Sequence, residues 1–363
     1  MKALHVITSL RIGGAEKLLA DLLPRLQQNG CEVAVYVFLG VDTPLVEQLR
    51  KAGVQVILGG KNQSVYSPRH IMVLRRLMKN YDIVHTHNTS PQLFTALADI
   101  GRSIPIVTTE HSTSNRRRRH VVFRLLDRWM YRQYQRIICI SEPCQKSLMA
   151  YLGRGNTSSL CVVNNGIDTQ YFANAQPSAE YNHQTLHASH ILINVAGFRW
   201  EKDQPTIIRA MRLLPEDYHL LLVGDGERII ACKQLARTLG VGQQVHFLGI
   251  RTDVASLLKS ADVVVMSSHH EGLSLSNLEG MTAGKPVVAS DVDGLREIVL
   301  GYGVLFPHED EHALAAAVKQ LCEDPDYAAS VAECCQQHAL EFDISKTADG
   351  YEAVYSEVLA QKR

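Results

Sequence analysis

Apolar and polar positions along the chain follow two alternating patterns. Short runs of valine, isoleucine and leucine are separated by longer stretches in which apolar residues recur three or four positions apart. The runs are typical of strands buried on both faces, and the longer stretches are typical of amphipathic helices. We predict strands near 3–9, 33–39, 54–58, 82–86, 104–109 and 136–140, and again near 190–196, 218–223, 244–248, 262–267, 286–290 and 303–306.

The order of these elements predicts an α/β fold with two doubly wound parallel sheets, each covered by helices on both faces. A polar stretch at 172–189, which contains Pro177 and has no apolar period, separates the two halves. We therefore expect an N-terminal domain at 1–171, a linker at 172–189, a second domain at 190–342 and a C-terminal helix at 343–363.

Polar clusters follow several of the predicted strands. In doubly wound sheets, ligands bind beyond the carboxyl ends of the strands. Two Rossmann-like domains that direct such clusters at one another would form a binding cleft. The clusters include residues 13–16, 85–88, 109–111, 197–202 and 271–279.

The stretch 270–279 follows a buried-looking strand and opens a helix. Ser276 and Glu279 have the spacing of a capping box, which would by itself explain the helix start. Gly272 and the small Ser274 and Ser276 would also let the backbone approach a ligand closely. Free N–H groups at a helix N-terminus favour an anion such as a diphosphate. The sequence leaves both interpretations open.

Composition narrows the class of protein. Lys plus Arg equal Asp plus Glu at 37 each, so overall charge gives no reason to expect nucleic acid as a partner. The eight cysteines are scattered without a CxxC pair, which is typical of reduced thiols in the cytosol. Met1 to Leu10 has the pattern of a first strand and not of a signal peptide, and no apolar run approaches the ~18 residues of a membrane span. We expect a cytoplasmic protein.

Arginine is concentrated in residues 116–136, against one acid, Asp127. A helix packed on its own sheet explains the apolar stripe in this segment, whereas a basic helix at a membrane surface explains the arginines. Near an anionic leaflet each basic residue contributes about 1 kcal/mol. We hypothesise that Arg124 and Arg128 face a phosphate-bearing acceptor, such as a lipid-linked sugar diphosphate at the inner face of the membrane. The arginines are Arg116, Arg117, Arg118, Arg119, Arg124, Arg128, Arg132 and Arg136.

The sequence EGLSLSNLEGMTAGKPVVASDVDGLREI, which begins at Glu271, resembles glycosyltransferase family 4, with seven residues between Glu271 and Glu279. The resemblance covers nearly the whole chain. It implies the GT-B fold, in which two Rossmann-like domains face an interdomain cleft and the final helix crosses back to the N-terminal domain. Shorter matches in the same order are GGAE at 13–16, DIVHTHN at 82–88, CISE at 139–142, NNGID at 164–168, VGDGE at 223–227 and FLGIRTDV at 247–254.

This resemblance implies a donor site in the second domain. Glu271 would hold hydroxyls of the donor sugar, and Glu279 would hold the ribose of the nucleotide. The diphosphate would meet backbone amides of Leu275, Ser276 and Asn277.

In the N-terminal domain, the resemblance implies that Gly14 lets its loop approach the same diphosphate. His111 would lie near the reacting centre on the acceptor side, where we also expect Gly13 and His87. We expect His111, Lys202 and Glu271 to serve catalysis.

Cations that stabilise the leaving diphosphate should contribute much of the catalysis. Lys202 and Arg199 follow the first strand of the second domain and are the candidates. Many family members place this arginine five residues before the lysine, where this chain has Gly197. Arg199 would have to take over the role from a different position, and two solvated charges in a loop are the alternative.

Two short patterns raise the question of a metal. His85 and His87 lie two apart on one strand face, and Asp291 with Asp293 matches a carboxylate pair that a different glycosyltransferase fold uses for manganese. No third ligand accompanies the histidines in sequence, and the GT-B resemblance implies no essential metal. No GxGxxG follows the first strand and no GK[ST] occurs, which disfavours dehydrogenases and NTPases.

Together these observations predict a retaining hexosyl- or N-acetylhexosaminyltransferase. Its donor would be a UDP- or GDP-linked sugar, and its acceptor a glycan or lipid-linked glycan in the synthesis of a cell-surface polysaccharide or glycoconjugate. A sugar-nucleotide epimerase of the same fold is one alternative. A sugar-nucleotide-binding relative without activity is the other, which the glycine at 197 keeps open.

Overall fold

The computed structural model describes residues 1–11, 13–61, 63–101, 104–112, 121–153 and 159–361. The chain forms two compact units. Unit 1 consists of Met1–Gly166 and Ile344–Arg363, and unit 2 of Ile167–Asp343.

Unit 1 is built on seven strands whose pairings are all parallel, in the order β3-β2-β1-β4-β5-β6-β7. The strands are β1 (Lys2–Ile7), β2 (Glu32–Val37), β3 (Gln55–Leu58), β4 (Ile83–His87), β5 (Ile106–Glu110), β6 (Arg136–Cys139) and β7 (Leu160–Val162). The helices between them are α1 (Gly14–Gln28), α2 (Pro44–Lys51), α3 (Arg69–Leu77), α4 (Thr89–Asp99), α5 (Val121–Tyr131) and α6 (Glu142–Leu152), with a 3-10 turn at Met78–Asn80.

Unit 2 repeats this plan with six parallel strands in the order β10-β9-β8-β11-β12-β13. The strands are β8 (His190–Val195), β9 (Tyr218–Val223), β10 (Val245–Gly249), β11 (Val263–Met266), β12 (Val287–Ser290) and β13 (Val304–Phe306). The helices are α7 (Thr169–Ala173), α8 (His183–Leu186), α9 (Gln204–Met211), α10 (Ile229–Thr238), α11 (Val254–Ser260), α12 (Leu275–Thr282), α13 (Arg296–Val299), α14 (Glu311–Glu323) and α15 (Pro325–Ala339), with 3-10 turns at Trp200–Lys202 and Leu340–Phe342.

Local sequence explains where several helices begin. Asp310 caps α14 by accepting hydrogen bonds from the N–H groups of His312 and Ala313. Asp324 caps α15, whose first turn contains Pro325. An acidic cap satisfies N–H groups that lack a partner inside the helix, and proline is tolerated there because it has no N–H to leave unpaired.

The last helix, α16 (Ile344–Ala360), belongs to unit 1. Tyr351 and Tyr355, one turn apart, are fully buried against the sheet. The core of unit 1 is therefore incomplete without the C-terminal residues, although they follow unit 2 in the chain.

The predicted two-sheet α/β architecture is confirmed, and twelve of the thirteen strands lie at predicted positions. The strand missed by the sequence patterns is β7, a three-residue edge strand. Short edge strands carry little of the apolar pattern that marks a buried strand.

The stretch at 172–189 was expected to be a linker, but it belongs to unit 2 in the structure. Phe172 is 1% exposed in the core of that unit, and α8 begins with an Asn182 cap. The chain passes from unit 1 to unit 2 at Gly166 and returns at Ile344.

Candidate functional site

In unit 2, the strand order reverses between β8 and β11, which are neighbours in the sheet. The loops that follow these two strands begin at the same edge. This reversal point is where open parallel sheets bind ligands. The loop after β8 carries Arg199 and Lys202, and the loop after β11 carries Glu271.

Lys202 donates a hydrogen bond to Oε1 of Glu271. The same carboxylate oxygen accepts a second hydrogen bond from Oγ of Ser268 at 2.7 Å. The side chain of Glu271 is 11% exposed and that of Lys202 is 26% exposed, so the pair is shielded but reachable. The pair holds one carboxylate oxygen in place.

Backbone hydrogen bonds fix the loop around Glu271. Its N–H donates to the carbonyl of Asp293 at 3.1 Å, and the N–H of His269 donates to the carbonyl of Glu201 at 2.9 Å. Gly294 has φ +84° and lies so close that a Cβ there would overlap the backbone carbonyl of Glu271. Only glycine permits this approach. Sequence patterns did not identify Ser268 or Gly294 as parts of the site.

Helix α12 begins two residues earlier than a capping box of Ser276 and Glu279 would require. Its N-cap is Ser274, whose side chain makes no capping hydrogen bond. The predicted pairing of Ser276 with Glu279 as a capping box is therefore wrong, because Ser276 already lies in the first turn. The N–H groups of Leu275, Ser276 and Asn277 lie in that turn, where they have no partner within the helix.

Two polar side chains of α12 are buried. Asn277 is fully buried, and neither its amide oxygen nor its amide nitrogen has a hydrogen-bond partner among the described residues. Glu279 is 8% exposed. Unpaired buried amides are costly, so a polar partner supplied by a ligand would relieve a real free-energy penalty.

Arg199 lies two residues after Gly197, the position at which many family members carry an arginine. It is exposed. Its Nε is 3.8 Å from the point where a Cβ on Gly197 would lie. The guanidinium therefore folds back over Gly197, in reach of the space that a side chain at 197 would enter.

Asp291 and Asp293, whose spacing raised the question of a metal site, make other contacts in the structure. Asp291 forms an ion pair with Arg296 at 2.5 Å, and this hydrogen bond lowers the pKa of the Asp291 carboxyl. Asp293 contributes its backbone carbonyl to the loop of Glu271. The two acids thus take structural roles beside the site.

Unit 1 has its own reversal point between β1 and β4. A pocket of about 190 Å³ opens beyond the ends of β4 and β5. Asn88, at the end of β4, has φ 72° and ψ 158°. This conformation is nearly restricted to glycine, and such strain in a non-glycine residue is concentrated at functional sites. The pocket is lined by Asn88, Thr89, Gln92, Thr109, Glu110, His111 and Ser112.

His111 lines this pocket and is tied to the core behind it. Its Nε2 lies 3.0 Å from Nδ1 of His87, and its own Nδ1 is buried without a partner among the described residues. Burial lowers the pKa of His111 to about 4, so the ring is neutral at pH 7. His87 is completely buried, so it can affect an acceptor only through His111.

Gly13 and Gly14 lie at the start of α1, with Gly13 as the N-cap. A Cβ on Gly14 would meet no atom within 4 Å, whereas one on Gly13 would meet the flexible side chain of Glu16. The fold of unit 1 therefore does not require glycine at position 14. A ligand that approaches the backbone closely would explain a glycine at this position.

The basic segment is only partly helical. Helix α5 ends at Tyr131, so Arg132 lies beyond it, and Arg136 begins β6 and pairs with Glu357. Arg124, Arg128, Arg132 and Arg136 recur every four residues, but the expectation that they share one basic helix is wrong, because a turn and the strand β6 follow α5. Arg116, Arg117, Arg118 and Arg119 lie outside the described residues.

Arg124 and Arg128 lie on α5 and cap a neighbouring helix. Their Nε atoms donate to the carbonyls of Tyr151 and Leu152, at the end of α6, at 3.2 and 3.0 Å. Cations at a helix C-terminus stabilise its unpaired carbonyls.

Two apolar side chains of α5 face solvent. Phe123 is 39% exposed and Leu125 is 65% exposed. Both lie beside the exposed Arg124. We expected the apolar stripe of this segment to pack on the sheet, but only part of it does so.

Among the residues that the structure describes, two groups of side chains could hold a metal ion: His5, His85 and His87, and His269, His308 and Glu309. His5 is the third member of the first group. Sequence spacing could not reveal it, because His5 lies on a different strand, β1, and meets His85 only through the pairing of β1 with β4. In the second group, Nδ1 of His269 lies 2.7 Å from Nε2 of His308.

Comparisons with known proteins agree with this architecture. The family described as Glycosyltransferase Family 4 matches residues 12–171, and the family described as Glycosyl transferases group 1 matches residues 180–337. The chain is 30% identical over 300 residues to glycogen synthase of Mycobacterium tuberculosis, covering 78% of this chain and 69% of that protein.

Two further relatives cover most of the chain. It is 25% identical to UDP-Gal:alpha-D-GlcNAc-diphosphoundecaprenol alpha-1,3-galactosyltransferase of Escherichia coli, covering 81% of this chain and 80% of that protein. The structure of Anabaena HepE in complex with UDP-glucose superimposes with a TM-score of 0.86 at 23% identity, covering 98% of this chain and 100% of that one.

The chain therefore belongs to glycosyltransferase family 4 and has the GT-B fold. It is a glycosyltransferase that uses a nucleotide-sugar donor. No helix in the described part of the chain has the length and apolar character needed to span a bilayer.

Proposed function

We propose that this enzyme transfers a hexosyl or N-acetylhexosaminyl group from a UDP- or GDP-linked sugar, with retention of anomeric configuration. The observation that carries the proposal is the Lys202–Glu271 pair beside the uncapped start of α12. A cation, a fixed carboxylate and free helix N–H groups together match the diphosphate and hydroxyls of a nucleotide sugar.

Each group in unit 2 has a role in this proposal. The N–H groups of Leu275, Ser276 and Asn277 hold the diphosphate, and Lys202 neutralises the charge that grows on it as the sugar leaves. Glu271 keeps one oxygen on Lys202 and Ser268 and offers the other to hydroxyls of the sugar.

Two further residues complete the donor side. Glu279 accepts from the ribose hydroxyls. Arg199 supplies the second cation, since its side chain lies over Gly197, where many family members carry an arginine.

Unit 1 supplies the acceptor side. The pocket at Asn88 and His111 receives the acceptor hydroxyl, with His87 behind His111. Gly13 and Gly14 let the loop before α1 approach the diphosphate.

A lipid-linked glycan acceptor fits the surface of α5. Exposed Phe123 and Leu125 beside Arg124 combine apolar and cationic groups, which favours an anionic membrane surface. The E. coli relative is named for a diphosphoundecaprenol-linked acceptor. We therefore place the enzyme at the inner face of the membrane, in the synthesis of a cell-surface polysaccharide or glycoconjugate.

Retention needs no protein nucleophile in this mechanism. The acceptor hydroxyl enters on the face from which the diphosphate leaves, and its proton passes to a phosphate oxygen of the leaving group. The C–O bond to the phosphate breaks as the new glycosidic bond forms. His111 and Lys202 orient the two partners without accepting the proton.

No metal is assigned to this reaction, because Lys202, Arg199 and α12 supply positive charge to the diphosphate. Turnover in EDTA should equal turnover without it. Loss of activity in EDTA that added Mg²⁺ or Mn²⁺ restores would contradict the assignment.

The first test is a thermal-shift panel of nucleotides and sugar nucleotides, since a ligand at 100 times its Kd stabilises by about 2.7 kcal/mol. We expect a shift with one nucleoside diphosphate and its sugar, and its loss in Glu279→Ala. The control is Glu333→Ala, which alters an exposed helical glutamate that accepts from Gln337. A shift that survives in Glu279→Ala would overturn the assigned donor site.

A further inference from the structure

A line of hydrogen bonds runs from His111 into the core of unit 1. His111 Nε2 lies 3.0 Å from His87 Nδ1, and His87 Nε2 lies 3.1 Å from His5 Nδ1. The second nitrogen of His5 lies 3.3 Å from the hydroxyl of Tyr355 on α16. Each ring thus uses both of its nitrogens, except His111.

The line continues on the other side of Tyr355. The Tyr355 hydroxyl lies 2.6 Å from Nδ1 of His85, and Nε2 of His85 lies 2.7 Å from Oγ1 of Thr109. Thr109 Oγ1 lies 2.9 Å from the hydroxyl of Tyr351. Seven side chains from β1, β4, β5, the loop after β5 and α16 therefore form one unbranched chain.

All four imidazoles are neutral at pH 7. Burial lowers the pKa of His5 to about 3 and that of His111 to about 4. It holds the pKa values of His85 and His87 well below the usual range as well. A neutral imidazole has one N–H and one bare nitrogen, so each ring donates at one end and accepts at the other.

His111, His87 and His5 are bonded ring to ring, so these three rings must share one tautomer. Beyond them the direction of donation can change, because the hydroxyl oxygens of Tyr355 and Thr109 can accept from both sides. In the first arrangement of the three rings each hydrogen lies on Nε2, so that His111 donates to His87, which donates to His5, which donates to Tyr355. In the second arrangement each hydrogen lies on Nδ1 and these bonds are reversed.

The nitrogen at the His111 end of the line decides between the two arrangements. Nδ1 of His111 has no partner among the described residues. In the second arrangement it would be a buried N–H without an acceptor, which is rarer in proteins than an acceptor without a donor. The first arrangement leaves over only one hydroxyl hydrogen, which can rotate about its C–O bond.

We propose that His87, His5 and Tyr355 are positioning residues that hold His111 in the Nε2–H tautomer, so that its bare Nδ1 accepts a hydrogen bond from the incoming acceptor hydroxyl. This inference rests on the proposed acceptor-side role of His111. This bond orients the hydroxyl in the bound state. As the new glycosidic bond forms, the O–H turns from His111 to an oxygen of the leaving phosphate, which takes the proton, and Nδ1 is left bare again. The C-terminal helix thereby acts on the acceptor pocket through Tyr355.

A metal ion bound by the same histidines is the competing explanation. The rings of His5 and His87 are nearly parallel, with 9° between their planes, and those of His85 and His87 differ by 21°. Nε2 of His87 and Nδ1 of His5 face each other at 3.1 Å in these near-parallel rings and are satisfied by one shared hydrogen, whereas ligands of one ion must converge on it. The geometry points to hydrogen bonds.

Histidine-selective ¹⁵N labelling of the full chain, with long-range ¹H–¹⁵N correlation at pH 7, reads the tautomer of each ring directly. Single His→Gln variants assign the signals. We expect Nε2–H at His5, His87 and His111, with no change on adding one equivalent of Zn²⁺. An Nδ1–H signal at His111, mixed tautomers among these three rings, or a Zn²⁺-dependent shift of His5 and His87 would overturn the proposal.

Tyr355→Phe tests the anchor while keeping the ring. Without the hydroxyl, the Nε2–H of His5 would be an unpaired donor in the core. Reversal of the bonds moves the unpaired N–H to His111 at the pocket, so we expect His5, His87 and His111 to switch to Nδ1–H. The matched control is Tyr351→Phe, which removes an equally buried hydroxyl from the same helix at the far end of the line. A folded Tyr355→Phe protein that keeps Nε2–H at His111 contradicts the proposal.

A separate variant distinguishes this inference from the function on which it rests. If His111→Ala keeps full turnover, the acceptor-side role fails, whatever the tautomers are. If His111→Ala is inactive and the rings of His5, His87 and His111 in the wild-type protein show mixed tautomers, the role stands and the positioning network is overturned.

Discussion

Lys202 and Glu271 lie 69 residues apart in the chain and form a shielded ion pair in unit 2. The pair exists because β8 and β11 are neighbours at the reversal point of the second sheet. Removal of one partner from a partly buried pair leaves the other charge uncompensated. The lysine therefore supports the carboxylate, and we propose that it also contacts the diphosphate when the donor binds.

Replacing Lys202 by alanine should lower turnover by roughly 10²–10³, the scale for losing one preorganised charge contact in the transition state. The measurement is steady-state release of nucleoside diphosphate from the donor that the thermal-shift panel identifies. The control is Lys233→Ala, which removes an exposed lysine near the ring of Phe247. A rate within about threefold of wild type would refute the role of Lys202.

Arg199→Ala should also reduce turnover, by up to roughly 10², and the loss should be recovered in part by adding Gly197→Arg. A side chain at 197 meets only ordinary contacts, at 3.6 and 3.8 Å, so the double variant should fold. Rate and thermal stability are measured together. If Gly197→Arg fails to improve a stable Arg199→Ala enzyme, Arg199 does not replace the arginine that many family members carry.

The product should carry the same anomeric configuration as the donor sugar. Because no protein nucleophile is assigned, no side chain should carry a covalent sugar during turnover. Proton NMR of the product gives the anomer, and mass spectrometry of quenched enzyme gives the adduct. An inverted linkage or a trapped glycosyl-enzyme would argue against the mechanism.

Stability of the protein should fall as pH drops from 6.5 towards 4. The pKa values of His5, His85, His87 and His111 are lowered in the folded state, to about 3 for His5 and about 4 for His111. In this window the unfolded chain binds more protons, so acid favours unfolding, by about 1.4 kcal/mol per pH unit for each extra proton. The stabilisation is fully present above pH 6.5.

Urea titrations at several pH values measure this slope. His5→Asn should reduce it by about one proton, because asparagine does not titrate there. A slope that is unchanged in His5→Asn would mean that His5 does not contribute to the acid sensitivity.

Vesicles that contain anionic lipid should bind the protein at low salt through α5. Phe123→Ser with Leu125→Ser removes exposed apolar area and should weaken binding severalfold, measured by co-sedimentation with phosphatidylglycerol vesicles. Ile230→Ser is the control, since Ile230 is 77% exposed in unit 2. Neutral vesicles should bind less. Equal binding by the double variant would exclude α5 as the contact.

The sequence predicted the strands well because buried parallel strands are short apolar runs with polar residues at their ends. The same patterns selected Glu271 and Lys202, which lie in loops that follow strands, and Glu279, which lies on α12, as candidate site residues. The prediction from sequence failed at 172–189, where a polar surface hides a contribution to the core by Phe172. It failed again at Arg132 and Arg136, where a regular spacing runs across a helix end.

Partners across the sheet could not be predicted from spacing. His5 lies beside His85 only because β1 and β4 are paired in register, although β2 and β3 come between them in the chain. Gly294 meets Glu271 only because the loop after β12 packs against the loop after β11. Such contacts depend on strand order and register.

The sequence by itself determined the class of fold, the positions of twelve strands and the polar loops that carry the donor-site residues, because these properties follow from local pattern. The tertiary structure decided which histidines hydrogen-bond to one another, which side chains bind the Glu271 carboxylate and which glycine lies against its backbone. Those relationships arise where strands and helices distant in the chain pack together, as Tyr355 of α16 does between His5 and His85.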